Sequence, residues 1–249
     1  MIVICTGSSV PYAGALLLLR KEVLLLKDIE SILSLLSVIV LIGSVVYGVR
    51  CFFLKRSALY FKILTLAAAC YTLVSGFRLL YGICFGALFE GVGITFLGYF
   101  GCFLFLFSAN YGQYDSLIDD RSAFFAKYRS IALLAPVFTL ALLALYTVGN
   151  IERTSVTTNI FTGLAYLPAV FASYYNLKHF LIPDTGFSFV KWVRLTNLCA
   201  LLIEVLDIAR LYVRSCFGGA ADGALSLLIA VIFFIMLTFA RKGHRSWLV

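Results

Sequence analysis

Apolar runs of about 18 or more residues, broken by short polar or basic stretches, recur from end to end of this chain. Runs of that length match helices that cross a bilayer, which need about 20 residues at a rise of about 1.5 Å each. They do not alternate, whereas barrel strands are about half as long and have a period of two. Seven segments qualify, at roughly 30–50, 58–80, 84–108, 130–149, 155–177, 189–212 and 222–240. The pattern predicts an all-α, polytopic helical membrane protein with about seven transmembrane helices in one bundle over 30–240. Tyr81–Gly82 reads as a tight turn between the second and third segments. Residues 1–29 hold an apolar run of about eight residues after Pro11, ended by Arg20–Lys21. That run is too short to span, so an interfacial or re-entrant segment is predicted there. No basic stretch precedes it, so it does not read as a cleavable signal peptide. Residues 241–249 read as a basic cytoplasmic tail.

Composition supports the pattern. Of 249 residues, 62% are hydrophobic and 13% charged, and mean hydropathy is +1.02. Soluble domains carry about 25% charge. The net charge of +8 fits membrane orientation and contact with anionic headgroups, not nucleic acid. Across seven spans, one side receives Arg20, Lys21, Lys27, Arg78, Arg153, Arg210 and Arg214. The other side receives the remaining 13 of the 20 basic residues. Basic loops stay in the cytoplasm. The bias therefore predicts an integral protein of the plasma membrane, N-terminus outside and C-terminus cytoplasmic.

The sixth segment carries the densest chemistry. Within LCALLIEVLDIARLYVR, residues 198–214, stand Glu204, Asp207, Arg210 and Arg214. At about 100° per residue, Asn197, Glu204, Asp207 and Arg214 fall on one side of the helix, with Arg210 slightly beyond. Each charge exposed to lipid costs about 2.5–3.5 kcal/mol, so the stripe is expected to face the bundle interior. A salt-bridge ladder that only fixes packing would satisfy the same pattern. Partners are available on the second and third segments. Tyr71, Ser75 and Arg78 lie at steps of four and three, and an Arg78–Glu90 pair across the hairpin is expected. Small residues at 82 and 86 would permit close helix approach. Glu204, Asp207, Arg210, Arg214, Asn197, Glu90 and Arg78 are thus the candidate outer-half polar pocket.

Between the third and fourth segments, residues 109–129 mix Asp115, Asp119 and Asp120 with Arg121, Lys127 and Arg129. The ligand pattern of a calcium loop is absent. A capped amphipathic helix on the cytoplasmic face is expected, and it is the natural docking surface for a partner. His179 reads as a helix cap or headgroup contact, and His244 lies in the tail. The seven cysteines are scattered without metal spacing. No nucleophile–base set, metal motif or cofactor motif is legible, so no catalytic, metal or cofactor residue is assigned.

Seven spans with the N-terminus outside are similar in topology to receptor-like and rhodopsin-like bundles, whose motifs the chain lacks. The expected function is a membrane sensor or signal-transmitting module. A small ligand or ion would act at the polar pocket, and output would pass to another membrane or cytoplasmic protein. The alternatives are a small transporter or channel for a proton, cation or small solute, and a non-catalytic structural subunit of a membrane complex.

Overall fold

The computed structural model describes residues 10–54, 57–85, 93–111, 115, 119, 122–151, 154–182, 188–217 and 219–247. For 10–28, 188–189, 215–217 and 246–247 it describes the backbone alone. Eight α-helices follow one another among these residues: α1 (Val10–Gly48), α2 (Leu59–Phe85), α3 (Ile94–Asn110), α4 (Ala123–Ala132), α5 (Leu134–Gly149), α6 (Val156–Leu181), α7 (Ser188–Phe217) and α8 (Gly219–Trp247). A π-helical turn, Val49–Phe53, extends α1. No strand occurs among the described residues.

Five stretches are long and apolar enough to cross a membrane: Ile29–Phe53, Leu59–Phe85, Ala123–Gly149, Val156–Leu181 and Gly219–Arg245. α3 is apolar but only 17 residues long. α7 has the length, at 30 residues, but carries the charges of the polar stripe. The outside of the bundle is greasy, and the apolar inside also holds charged side chains. Leu73 is 68% exposed and Val46 61%, while Glu204 is 0% and Asp207 1%. Water would invert that partition; a hydrocarbon solvent accepts it.

Packing closes a circuit. α1 lies on α2, α2 on α3, α3 on α6, α6 on α7, α7 on α8, and α8 again on α1. α5 packs outside this circuit, against α6 and α7. Glycines set the closest approaches. A Cβ on Gly98 of α3 would collide with the Val74 side chain of α2, and one on Gly101 would stand 3.3 Å from Cys70 Sγ. On α8, a Cβ on Gly219 would overlap the Glu30 carboxylate of α1, and one on Gly223 would meet Leu33. Small residues at helix crossings give this intimacy in membranes.

Three stretches can be set beside the sequence reading. Tyr81–Gly82 is not a turn: α2 continues to Phe85. Rings at helical spacing support it there, with Phe77–Tyr81 centroids 6.1 Å apart and Tyr81–Phe85 4.6 Å. Gly82 has open space around it, so the α2–α3 contact runs through Gly98 and Gly101 instead. From Ser122 on, the 109–129 stretch joins the fourth segment rather than ending before it. α4 begins after Ser122 and runs into α5 with only Leu133 between them. The break falls where Pro136 has no N–H to offer the Ala132 carbonyl. Residues 10–29, read as a unit of their own, continue without interruption into the first apolar stretch as part of α1.

The glycine contact gives a test. Gly98→Ala forces Val74 aside and should destabilise the protein by about 1–3 kcal/mol. Adding Val74→Ala should recover part of that loss in thermal unfolding in detergent. A double variant less stable than Gly98→Ala would refute the close packing.

Candidate functional site

The polar side chains of α7 form two clusters, one helical turn apart. The first surrounds Asp207. Tyr71 of α2 donates to its Oδ1 at 2.6 Å and Tyr166 of α6 donates to its Oδ2 at 2.7 Å. Arg210 reaches the same Oδ1 at 3.3 Å. Arg210 also holds Asp222 of α8 through Nε to Oδ1 at 2.6 Å and Nη2 to Oδ2 at 3.3 Å. This is the two-pronged geometry that suits guanidinium and carboxylate. Arg78 of α2 completes the set, with Nη2 3.3 Å from Asp222 Oδ2 and Nη1 3.1 Å from the Tyr99 hydroxyl of α3. Four helices besides α7 thus converge on one end of the bundle.

A cavity of about 20 Å³ lies among these groups. Arg78, Tyr99, Tyr166, Asp207, Arg210 and Asp222 line it, and Leu211 and Arg214 close it. A space of that size holds one water or one small ion. Pockets for organic ligands are roughly 300–1,000 Å³.

The second cluster runs the other way. Asn176 of α6 donates to Glu204 Oε1 at 2.7 Å. Asn110, at the end of α3, donates to Asn176 Oδ1 at 2.7 Å. His179 Nδ1 lies 3.0 Å from Asn110 Oδ1, and its Nε2 lies 2.9 Å from Asp115 Oδ1. Lys178 pairs with the same Asp115 oxygen and, at 3.1 Å, with Asp119. Asp119 also receives Arg129 of α4 at 2.8 Å. A continuous row therefore joins half-buried Asp115 at the bundle end to fully buried Glu204. At the deep end, Glu204 Oε2 is buried and has no hydrogen-bond partner among the described residues.

Donor and acceptor roles follow from the row. The Asn110 amide N–H is given to Asn176, so its Oδ1 accepts and His179 Nδ1 carries a proton. His179 Nε2 then bonds to the Asp115 carboxylate only if it is protonated too. With the carboxamides in this orientation the row fits an imidazolium, and with both turned over it fits a neutral imidazole. Burial raises the Asp115 carboxyl, but hydrogen bonds from His179 and Lys178 outweigh it and hold the group below the usual carboxylate range.

The candidate residues are placed unevenly. Asp207, Arg210, Arg214 and Arg78 meet at the cavity. Glu204 faces inward one turn away and belongs to the second row. Asn197 is buried near the other end of α7 and accepts from Tyr60 at 3.2 Å; its Nδ2 has no partner among the described residues. Glu90 lies outside the described residues, and Arg78 pairs with Asp222 instead. Asp222, Tyr166, Tyr99 and Asn176 were not singled out from the sequence. Asp222 had a signal: an acid in the first turn of the last apolar helix, within a short turn of two arginines. His179 is no headgroup contact, being 1% exposed and bonded at both nitrogens. Among the described residues no three His, Cys, Asp or Glu side chains are grouped to hold a metal.

Two tests follow. Asp222→Asn strands two buried guanidinium groups and should cost about 3–5 kcal/mol in chemical unfolding in detergent; a loss below about 1 kcal/mol would show the pair carries no such role. The Asp115 contribution is present above the ordinary carboxylate range and is lost as pH falls through the lower folded value. Wild-type stability should therefore decline below about pH 4 more steeply than that of Asp115→Asn, and parallel profiles would contradict the pairing.

Comparison of the chain with protein-family models, curated proteins and solved structures finds no match to any of them.

Proposed function

We propose that this chain is a seven-helix membrane module that responds to protons. The signal enters at the Asp115–His179 end and reaches Glu204 through the Asn110 and Asn176 amides. The observation that carries this reading is the unbroken Asp115–His179–Asn110–Asn176–Glu204 row. Its seven spans are α1, α2, α3, α4 with α5, α6, α7 and α8.

Such a row has two self-consistent settings. In one, His179 carries two protons and Glu204 accepts as a carboxylate. Half-turns of both carboxamides give the other. His179 Nε2–H donates to Asp115, Nδ1 accepts from Asn110, and Asn176 presents its oxygen to Glu204, which must then hold the proton. With neither His179 Nδ1 nor Glu204 protonated the row has one donor too few, so acidification adds one proton, taken at one end or the other. No proton passes through an amide; the amides pass on polarity. Protons at the two ends therefore compete.

Other charges bias the balance. His179 is faced by Asp115, Lys178 and, through Lys178, Asp119, with the Tyr175 ring at 6.2 Å. Glu204 is faced by Asn176 of α6 and lies within electrostatic reach of Cys102 of α3, with Asp207 one turn along its own helix. Asp115 and Asp119 belong to the 109–129 stretch, and Asp119 grips α4 through Arg129. A change at His179 thus reaches the surface on which a partner protein would dock.

The excess of basic residues supports a cytoplasmic His179 end in the plasma membrane. Cation–aromatic pairs at that end suit a headgroup belt: Arg241 over Tyr47 at 5.5 Å, Lys242 over Trp192 at 4.7 Å and Arg194 over Phe180 at 5.8 Å. The N-terminus would then lie outside.

The test places an environment-sensitive fluorophore at Lys127→Cys in a background lacking other accessible thiols, in liposomes. Wild-type emission should shift between about pH 8 and pH 5. Glu204→Gln, which keeps the shape and supplies a permanent donor, should lose most of the shift while unfolding normally. A wild-type probe insensitive to pH, or a Glu204→Gln response equal to wild type, overturns the proposal.

A further inference from the structure

The cavity at the Asp222 end has a charge and a hydrogen-bond balance that the proton-responsive row does not use. Three guanidinium groups, from Arg78, Arg210 and Arg214, face two carboxylates, Asp207 and Asp222, across a space of about 20 Å³. That leaves one positive charge in excess.

Each carboxylate oxygen already accepts at least one hydrogen bond. Asp207 Oδ1 takes Tyr71 and Arg210, and Oδ2 takes Tyr166. Asp222 Oδ1 takes Arg210, and Oδ2 takes Arg78 and Arg210. The groups left over are donors. The Tyr99 oxygen accepts from Arg78, which leaves its own proton to point elsewhere. Arg214 has no ion-pair or hydrogen-bond partner among the described residues, although it stands half-buried at the cavity. It sits four residues from Arg210 on the same helix, a like-charge spacing that is unfavourable until something lies between them.

We propose that this cavity binds one small monovalent anion, of the halide class, between Arg214, Arg78 and the Tyr99 hydroxyl. A water molecule would fit the volume, but it would leave the excess positive charge and the Arg210–Arg214 repulsion as they are. A halide accepts only, cancels the excess charge and relieves the Arg210–Arg214 repulsion. Sulfate and phosphate bring four oxygens and a second charge, and the cavity has room for neither. The site joins α2, α3 and α7, with Asp222 of α8 holding two of its arginines, so an anion there ties four helices together. It is distinct from the Glu204 row, and either can fail without the other.

The experiment uses the full chain in detergent micelles and follows thermal unfolding as chloride replaces gluconate at constant ionic strength. The midpoint should rise with chloride and level off at saturation, as for a ligand that binds only the folded state. Bromide should substitute and sulfate should not. Arg214→Gln should keep the gluconate midpoint within a few degrees and shift the chloride dependence to at least about tenfold higher concentration, equivalent to about 1.4 kcal/mol of binding. Tyr99→Phe, which removes one donor, should shift it less and serves if Arg214→Gln does not fold. Equal midpoints in chloride and gluconate would overturn the proposal. So would a sulfate effect equal to that of chloride, or an unaltered chloride response in either variant.

Discussion

Arg210 and Asp222 are joined by two hydrogen bonds across the α7–α8 crossing, and the other polar contacts at that end are arranged around this pair. Arg210 brings Tyr71 and Asp207 with it; Asp222 brings Arg78, and Arg78 brings Tyr99. Burying two ions costs several kcal/mol each unless geometry and further hydrogen bonds compensate. Here all four oxygens of Asp207 and Asp222 are bonded, and the donors come from three helices. The requirement to satisfy one buried pair therefore fixes the mutual rotation of α2, α3, α6, α7 and α8. Apolar packing alone leaves such rotations loosely specified when lipid and core are equally greasy.

The two α7 clusters differ in kind. Around Asp207 every acceptor is satisfied by side chains from several helices, which makes for rigidity. Around Glu204 one oxygen is left over, and the groups leading to it are carboxamides that exchange donor and acceptor by a half-turn. Neighbouring turns of one helix thus hold a fastened joint and a row with two settings. A row that changes polarity while the helices stay in place needs the fastened joint beside it.

Much of this was readable in the chain. Run length gave the helical class, and the step pattern of Asn197, Glu204, Asp207 and Arg214, with Arg210 slightly beyond, gave an inward stripe because a helix has one fixed pitch. What long-range packing decides was not readable. The partner of Arg78 depends on which helix follows which around the circuit, so Asp222, 144 residues away, is invisible to local spacing while Glu90 looks attractive. Asn110, Asn176 and His179 lie on two helices that meet only in the fold. The α2 end was misplaced because Gly82 resembles a turn residue, whereas a ladder of Phe77, Tyr81 and Phe85 keeps that stretch helical. The fourth segment was read as one run at 130–149, whereas the structure breaks it at Leu133, three residues before Pro136, where the missing N–H acts.

The short link between α7 and α8 bears on how the protein is made. α7 carries Glu204, Asp207, Arg210 and Arg214, each costing about 2.5–3.5 kcal/mol at the middle of an isolated inserted helix. It would not stay in a bilayer by itself. Only residue 218 separates it from α8, whose apolar stretch has a mean hydropathy of 2.6. Asp222 stands in the first turn of that stretch, opposite Arg210. The two helices can therefore leave the ribosome and enter the membrane as one hairpin, with the ion pair closing before either helix meets lipid alone. During synthesis, the last helix acts as the escort that admits the most heavily charged one.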